Sequence, residues 1–272
     1  GVLCLIPNAG VHIATRAQCA PNVFRTSFSN SQPTRALGAA MVAKGHKRAV
    51  WITWKYAAGD EAFEGFKEGY LAAGGTIIKE LSLPFPNVEF QALLTEIAAL
   101  KPDAVACFFA GGGAAKFIRD YAAAGLKGKI PLYGSGFLTE GVLDAAGPAA
   151  DGIMTTMHYS DSLDTKRNQA FRLAYAKTFR MQPDVYAVQG YDTGLLLIQG
   201  ANAVKGDLNN KKELYAAMEG ATIDSPRGKW TMSKSHNPIQ DMYLRVAEKG
   251  ENKVIGIAAK GLADPGTGCK MG

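Results

Sequence analysis

Three consecutive glycines begin at Gly111 in the segment ACFFAGGGAAKF, residues 106–117. A strand, a glycine-rich loop and a helix N-terminus form the phosphate-binding sites of many nucleotide enzymes. If Lys116 is aligned with the P-loop lysine, Ala115 replaces the second glycine and Phe117 replaces the magnesium-binding hydroxyl. Lys116 also occupies the third glycine position of a dinucleotide fingerprint. The segment therefore does not predict a nucleotide site.

The histidines give no catalytic pattern. His46 is expected in an exposed charged turn and His236 in a loop, while His12 and His158 are expected near a binding site. None has a recognisable nucleophile partner, and the sequence contains no GxSxG, HExxH or paired-carboxylate motif. Each histidine is interpreted as a structural or surface residue. The sequence thus predicts neither an enzyme nor a metal or cofactor site.

Small residues occur at four predicted strand ends: 8–10 (NAG), 55–59 (KYAAG), 111–113 (GGG) and 134–137 (GSGF). Glycine allows a ligand to approach the backbone closely, and open parallel sheets bind ligands at the carboxyl ends of their strands. Ordinary strand-to-helix turns would explain any one of these loops. The four together favour a binding cleft.

The cysteines fall into two pairs. Cys4 and Cys107 lie in apolar runs and are predicted to be buried thiols, whereas Cys19 and Cys269 lie in turn-rich segments. None has the spacing of a metal site. We predict a Cys19–Cys269 disulfide, which would imply an oxidising compartment.

The elements that would position these loops alternate from residue 49 onward. The predicted strands are 49–54, 76–83, 103–110, 130–135 and 151–159, and the intervening helices are 60–75, 87–102 (capped by Asn87), 113–125 and 138–147. This order predicts a parallel sheet with helices on both faces. The remaining elements are predicted as helices at 164–180, 186–205 and 210–220 and a hairpin of strands 241–250 and 252–261.

Three polar breaks, at 22–45, 157–165 and 224–238, interrupt this pattern and predict two lobes joined by three crossings. The hydrophobic content of 47% and charged content of 20% indicate a globular protein. The net charge is +6, but the basic residues are scattered, which argues against a nucleic-acid surface. No apolar run is long enough to span a membrane. The opening GVLCLIPNAG is predicted to be a core strand and not a signal peptide.

Several segments, in their order and spacing, resemble the type I periplasmic binding proteins of the branched-chain amino-acid (Leu/Ile/Val-binding) group, the solute receptors of ABC importers. The resemblance is carried by IPNAG, NVFRTSFSNSQPTRALGAAM, YAAGDEAFEGFKEGYLAAGG, KPDAVACFFAGGGAAKFIRDYAAAGL, IPLYGSGF, PDVYAVQGYDTGLLL and TGCKM. More narrowly, the chain resembles the branch that takes up aromatic carboxylates such as benzoate and phenylpropanoid acids.

The resemblance implies an α/β, two-lobed type I fold with parallel sheets flanked by helices and three crossovers. It implies that the first part of the N-terminal lobe is absent from this chain. The N-terminal lobe is then expected at 1–26 and 159–226, and the C-terminal lobe at 27–158 and 227–272.

Carried over by position, the resemblance implies ligand contacts from several loops of a cleft between the lobes. The implied ligand-binding residues are Asn8, Ala9, Gly10, Tyr56, Ala58, Phe109, Gly111, Gly112, Gly136, Phe137, Tyr186, Gln189 and Tyr191. The amides of 8–10 would meet a carboxylate, and the helix that begins near Tyr186 would line the rim. Gly136 and Phe137 stand where amino-acid receptors carry an acid for the ligand ammonium, and the next acid, Glu140, is expected to face away.

The sequence therefore predicts a periplasmic, monomeric solute receptor that binds a benzoate-like or phenylpropanoid acid and docks on the membrane permease of an ABC transporter. It predicts no cofactor, no nucleic-acid partner and no direct membrane insertion. The alternatives are a branched-chain amino-acid or amide receptor and a ligand-sensing regulator on the same fold.

Overall fold

The structure, a computed structural model, describes residues 1–271. The strands are β1 Cys4–Ile6, β2 Val23–Arg25, β3 Arg48–Lys55, β4 Thr76–Pro84, β5 Ala104–Phe108, β6 Leu132–Ser135, β7 Met154–Met157, β8 Thr222–Ser225, β9 Gly228–Met232, β10 Pro238–Glu248 and β11 Glu251–Leu262. The α-helices are α1 Ser31–Ala43, α2 Ala57–Ala72, α3 Gln91–Leu100, α4 Gly111–Ala123, α5 Leu143–Ala146, α6 Lys166–Phe179, α7 Val185–Ala203 and α8 Lys211–Glu219.

The chain divides into two compact units. The first comprises Gly1–Asn30, Leu163–Asp241 and the residues from Ala259 onward, and the second comprises Ser31–Ser162 and Met242–Ala258. The predicted lobes differ from these units mainly at the C-terminal end, where 227–241 and the residues from Ala259 belong to the first unit. The lobe boundaries given above remain a prediction.

The second unit is built on the predicted parallel sheet. Its strand order is β4-β3-β5-β6-β7, all parallel, and the second half of β10 pairs with β7 in the antiparallel sense. Six consecutive residues of β3, from Ala49 to Trp54, are buried, as expected for a strand covered on both faces. Val50 and Ile52 pack into a core with α3 and α4, while Trp51 stacks on Phe66 of α2 with ring centroids 4.9 Å apart.

Helices α1 and α2 are held unusually close by glycine. A Cβ on Gly69 would stand 2.0 Å from the carbonyl oxygen of Arg35, and a Cβ on Gly38 would stand 2.5 Å from the amide nitrogen of Tyr70. The two helices can therefore touch through their backbones. This contact fixes α1 and α2 together on the face of the sheet opposite α4.

The first unit contains two small groups of strands. β1 and β2 form a parallel pair, and β8, β9 and the first residues of β10 form an antiparallel group. Phe24, Leu196 and Trp230 belong to its core, which also includes residues of α8. Strand β10 begins in this unit and ends in the other.

Three local predictions need correction. Helix α3 begins at Gln91, because the side chain of Asn87 accepts a hydrogen bond from the amide of Glu89 at 2.7 Å and closes a turn instead of capping a helix. The predicted helix 138–147 is broken into a 3₁₀ turn at Gly136–Leu138, the short α5 and a second 3₁₀ turn. The polar break 224–238 contains most of the β8–β9 hairpin.

The cysteines occupy three different environments. Cys19 and Cys269 form a disulfide with their Cα atoms 5.5 Å apart, and Cys107 is buried. Cys4 is exposed, contrary to the prediction. Within the described residues β1 pairs only with β2, so an apolar run in this strand does not guarantee burial.

Candidate functional site

Four aromatic side chains form a row at the carboxyl ends of neighbouring strands in the second unit. We call Phe85, Tyr56, Phe108 and Phe137, in that spatial order, the aromatic row. The rings of Phe85 and Tyr56 stack with centroids 4.7 Å apart, and Tyr56 and Phe108 follow at 6.3 Å. Phe108 meets Phe137 nearly at right angles, at 6.5 Å. The row is a continuous series of ring contacts that another aromatic ring could join.

The sheet topology creates this row. Phe108 ends β5, while Tyr56 follows β3 and Phe85 follows β4. Phe137 lies in the 3₁₀ turn that follows β6. Because these strands are parallel neighbours, their carboxyl ends lie along one edge of the sheet.

Exposure differs along the row and is highest at Phe85. Phe137 and Phe108 are 9% and 6% exposed, Tyr56 is partly buried, and Phe85 is 53% exposed. Burial raises the pKa of the Tyr56 phenol, so this hydroxyl stays neutral and can donate or accept a hydrogen bond. The row thus combines apolar ring faces with one neutral polar group.

Phe109, a predicted ligand contact, does not belong to the row. Its side chain is fully buried and packs on Trp54 and Phe117, with centroids 5.0 and 4.6 Å away. Successive side chains of an extended chain point to opposite faces of the sheet, so the side chains of Phe108 and Phe109 cannot lie on the same face. The sequence reasoning missed Phe108, although this alternation could have identified it. It also missed Phe85.

Gly111 and Gly112 are exposed and open, as the ligand-binding hypothesis requires. They are the first two residues of α4, and a Cβ on either would meet no described atom within 4 Å. Gly111 has a φ of +57°, which side-chain-bearing residues rarely adopt. The first amides of a helix have no intrahelical acceptor, so this end of α4 offers donors to a ligand.

Ala58 and Tyr56 lie in the tight turn from β3 into α2. Ala58 is partly buried in the first turn of this helix. A Cβ on Gly59 would stand 2.0 Å from the carbonyl oxygen of Trp54, so the turn requires glycine there. This turn brings Tyr56 to the edge of the sheet.

The site offers no space for an acid at Gly136. This residue is buried, and its Cβ would stand 2.6 Å from the Cβ of Met157 and 2.8 Å from Nη2 of Arg245. Glu140, which is expected to face away from the ligand, pairs through its carboxylate with Nη1 of Arg245 at 2.9 Å, and its side chain is only 9% exposed. The acid nearest to Gly136 in the sequence is therefore already paired with a cation.

The predicted residues of the amino-terminal turn lie in the first unit. Asn8 and Ala9 are exposed, whereas Gly10 is buried. A Cβ on Gly10 would stand 2.3 Å from Oδ1 of Asn30 and 2.7 Å from the Phe28 ring, so glycine is needed at this close approach. The amide of Asn30 donates to the Gly10 carbonyl at 2.9 Å and fixes the turn.

Helix α7, also in the first unit, carries the last three predicted residues. The Asp184 carboxylate caps it by accepting from the amide of Ala187 at 2.8 Å. Tyr186 is exposed and Gln189 is buried. Tyr191 is held against α6, because its hydroxyl accepts from Nη2 of Arg167 at 3.0 Å. Its ring also contacts that of Phe171, at 4.8 Å.

The histidines have structural contacts. Nδ1 of His46 lies 2.9 Å from the hydroxyl of Tyr133. His236 lies in a loop, as predicted, and its buried ring stacks on Phe24 with centroids 3.9 Å apart. His12 and His158 are buried as well. Within residues 1–271, no group of three His, Cys, Asp or Glu side chains is placed to hold a metal ion.

An apolar cavity of about 300 Å³ lies at the other end of the sheet. It is lined by residues near the start of β6 and β7, including Leu132 and Met154, and by Tyr121 of α4. The carboxyl ends of the strands carry the aromatic row, so this cavity and the row lie at opposite edges of the sheet.

Every helix in the described part of the chain is too short or too polar to cross a lipid bilayer.

Comparison with known proteins gives consistent matches. The family model described as periplasmic binding protein matches residues 3–252. Among curated proteins, the Leu/Ile/Val-binding protein homolog 6 of Brucella abortus is 28% identical over 238 residues, which are 85% of this chain. The chain spans 61% of the length of that relative.

Solved structures show the same fold. An ABC transporter solute-binding protein from R. palustris in complex with benzoate is 54% identical, with a TM-score of 0.91 over 98% of this chain and 73% of its own. A solute-binding protein from Rhodopseudomonas palustris BisB5 in complex with 3,4-dihydroxybenzoic acid is 31% identical, with a TM-score of 0.86 over 96% and 73% of the two chains. A Leu, Ile, Val, Thr and Ala-binding protein from Brucella ovis has a TM-score of 0.89 over 100% and 74%, but at 19% identity it supports the fold alone.

Proposed function

The chain belongs to the periplasmic binding protein family, and we propose that it is the solute receptor of an ABC importer for a small aromatic carboxylate of the benzoate type. Its α/β architecture is the type I fold of that family, as the sequence predicted. In this proposal the protein binds its ligand in the periplasm without altering it and delivers it to the membrane permease. The observation that carries the proposal is the aromatic row.

The row suits a flat, apolar ligand. Its four rings lie within 4.7–6.5 Å of their neighbours, the range in which aromatic side chains attract one another. A benzoate ring would extend this series, and the open backbone at Gly111 and Gly112 would leave room beside it. The benzoate complex of the 54% identical R. palustris protein supports the same ligand class.

We further propose that backbone amides recognise the ligand carboxylate. The candidates are the exposed turn Asn8–Ala9 with Gly10, and the first amides of α4 at Gly111 and Gly112. Amide donors and the positive end of a helix dipole favour an anion without requiring a basic side chain. A phenolic hydroxyl on the ligand could pair with Tyr56.

A branched-chain amino-acid receptor is the second candidate, because the curated relative from Brucella abortus is named for that group. Burying a ligand ammonium without an acidic partner is unfavourable by several kcal/mol. The structure excludes a side chain at Gly136 and pairs Glu140 with Arg245. These two features favour the aromatic acid over the amino acid.

Isothermal titration calorimetry with benzoate, 4-hydroxybenzoate, p-coumarate and leucine tests the proposal directly. We expect binding of at least one aromatic acid and little or none of leucine. Phe85→Ala should weaken aromatic-acid binding roughly two- to tenfold, the value of one aromatic contact.

Phe179→Ala is the matched control, because Phe179 is similarly exposed at 59% but lies on α6 of the first unit, away from the row. Both variants should fold normally, since neither side chain is buried. Tight leucine binding with no response to any aromatic acid would contradict the assignment. So would equal losses in Phe85→Ala and Phe179→Ala.

A further inference from the structure

Arg245 is a buried cation on β10, in the second unit, that the ligand site does not use directly. Its side chain is fully buried. Nη1 donates to Oε2 of Glu140 and to the carbonyl of Tyr159, both at 2.9 Å. Nη2 donates to the carbonyl of Gly136 at 3.0 Å, and Nε donates to Oγ1 of Thr155 at 3.2 Å.

Sheet register places this guanidinium beside the site. β10 runs antiparallel to β7 with Arg245 opposite Thr155, and β7 runs parallel to β6 with Thr155 opposite Gly134. The guanidinium therefore reaches the chain immediately after β6, where Gly136 precedes Phe137 of the aromatic row. A planar guanidinium can hold several acceptors at once, which a lysine ammonium cannot do in the same geometry.

Two consequences follow at Gly136. The guanidinium fixes its carbonyl, and it occupies space that a side chain there would need, since the Cβ would stand 2.8 Å from Nη2. The Glu140 carboxylate lies on the other arm of the same guanidinium.

We propose that Arg245 is a positioning and specificity-determining residue that excludes ligands carrying an ammonium group. It neutralises Glu140, which would otherwise present a negative charge near Phe137, and it holds Gly136 so that Phe137 faces the row. This inference rests on the proposed function, because it concerns the ring-binding end of the same site. The ligand class that the site accepts is then an aromatic ring that carries a carboxylate and no ammonium group.

Benzoate and 4-(aminomethyl)benzoate test the inference, because they share a ring and a carboxylate and differ by an ammonium. Calorimetry gives the ratio of their dissociation constants in the intact protein and in three variants. The variants are Arg245→Met, Glu140→Gln and the double variant, which together form a double-mutant cycle. Thermal unfolding of each variant checks that it is folded.

We expect opposite shifts from the two single variants. Arg245→Met exposes the Glu140 charge and should move the ratio about tenfold or more toward the aminomethyl ligand, while Glu140→Gln leaves the cation unpaired and should move it toward benzoate. The double variant removes both charges and should return within about twofold of the wild-type ratio. A merely structural role would weaken both ligands together and leave the ratio unchanged.

An unchanged ratio in the single variants overturns the inference, even if absolute affinities fall. If Arg245→Met does not fold, the comparison of Glu140→Gln with the double variant decides, since only the former should favour benzoate over the wild-type ratio. Failure of the proposed function looks different. In that case the wild-type protein binds neither aromatic acid, and the inference falls with it.

Discussion

Alanine at Gly113 should destabilise the protein, whereas alanine at the adjacent Gly112 should not. Both glycines lie in the first turn of α4. A Cβ on Gly113 would stand 2.4 Å from both Cη2 and Cζ2 of Trp54, while a Cβ on Gly112 would meet no described atom within 4 Å. Both substitutions change helix propensity in the same way, but Gly113→Ala alone adds a steric clash, so comparing the two variants isolates the effect of close packing.

The Trp54 ring cannot easily yield. It is 4% exposed, and its Nε1 donates to the carbonyl of Asn87 at 2.7 Å. It also meets Phe85 and Phe109 edge-on, at 5.3 and 5.0 Å. Nonbonded carbons prefer about 3.5–4.0 Å, so the ring must move by about 1 Å or more.

Overpacking of this kind destabilises by about 1–3 kcal/mol, and replacing glycine by alanine in a helix stabilises by about 0.5–1 kcal/mol. The net loss expected for Gly113→Ala is about 1–2 kcal/mol, and Gly112→Ala should gain about 0.5 kcal/mol. At about 2–4 °C per kcal/mol for a chain of this size, the two Tm values should differ by about 3–10 °C.

Thermal and urea unfolding followed by circular dichroism measure the difference, and near-ultraviolet bands report whether the tryptophan environment changes. Gly113→Ala should also weaken benzoate binding, because Trp54 supports Phe85 and Tyr56. If Gly113→Ala proves as stable as Gly112→Ala, the steric reasoning about the Trp54 contact is wrong.

Three further predictions concern the rest of the molecule. Replacing Cys19 and Cys269 with alanine should lower the free energy of unfolding by about 2–5 kcal/mol, because the bridge closes a long loop; free thiols in unreduced protein, found by peptide mapping, would refute the bridge. Burial raises the pKa of Asp264, but hydrogen bonds from Arg16, Ser29 and the Gly266 amide outweigh it and hold the pKa below its usual 3.8. Its stabilisation is present above pH 3.8 and lost as the pH falls through the lowered value, so Asp264→Asn should flatten acid unfolding curves in that range, and unchanged curves would count against the network. Tyr191→Phe should leave benzoate affinity within about twofold, because Arg167 already engages the hydroxyl; a tenfold loss in titration would instead make Tyr191 a ligand contact.

Much of the second unit could be predicted from local sequence pattern. The run AVWITW forms the predicted strand, and the amphipathic segment that follows it, with Phe66 and Tyr70, forms the predicted helix. Acidic residues mark the start of a helix and paired glycines mark its end, because the backbone requirements at both positions involve only neighbouring residues. Lys249 and Gly250 both adopt positive φ, at 51° and 80°, in the turn of the predicted terminal hairpin.

The β8–β9 hairpin escaped prediction because its pattern is short and polar. Its large apolar core side chains are those of Ile223, Trp230 and Met232, and the intervening Pro226 and Arg227 are typical of a loop. The strands are stabilised instead by long-range contacts. Asp192 of α7, whose pKa is raised by burial despite its pairing with Arg227, accepts hydrogen bonds from Ser225 and Trp230, both at 2.9 Å.

The loops of the candidate site could be located from the sequence, but the contacts of their side chains could not. The alternation of strands and helices places Tyr56 after β3 and Phe137 after β6, as in the structure, and their role in ligand binding stays a prediction. The choice between Phe108 and Phe109 depends on which face of β5 each covers. The pairing of Glu140 with Arg245 joins residues 105 positions apart, so no local pattern could indicate it.

The exposure of Cys4 gives the protein a practical handle. Of its four cysteines, two are joined to each other and Cys107 is buried, so a maleimide reagent added without reducing agent should react at Cys4 alone. A fluorophore or a surface linker can thus be attached at one defined position of the first unit without introducing a cysteine. The aromatic row belongs to the other unit, so the label leaves its rings unmodified.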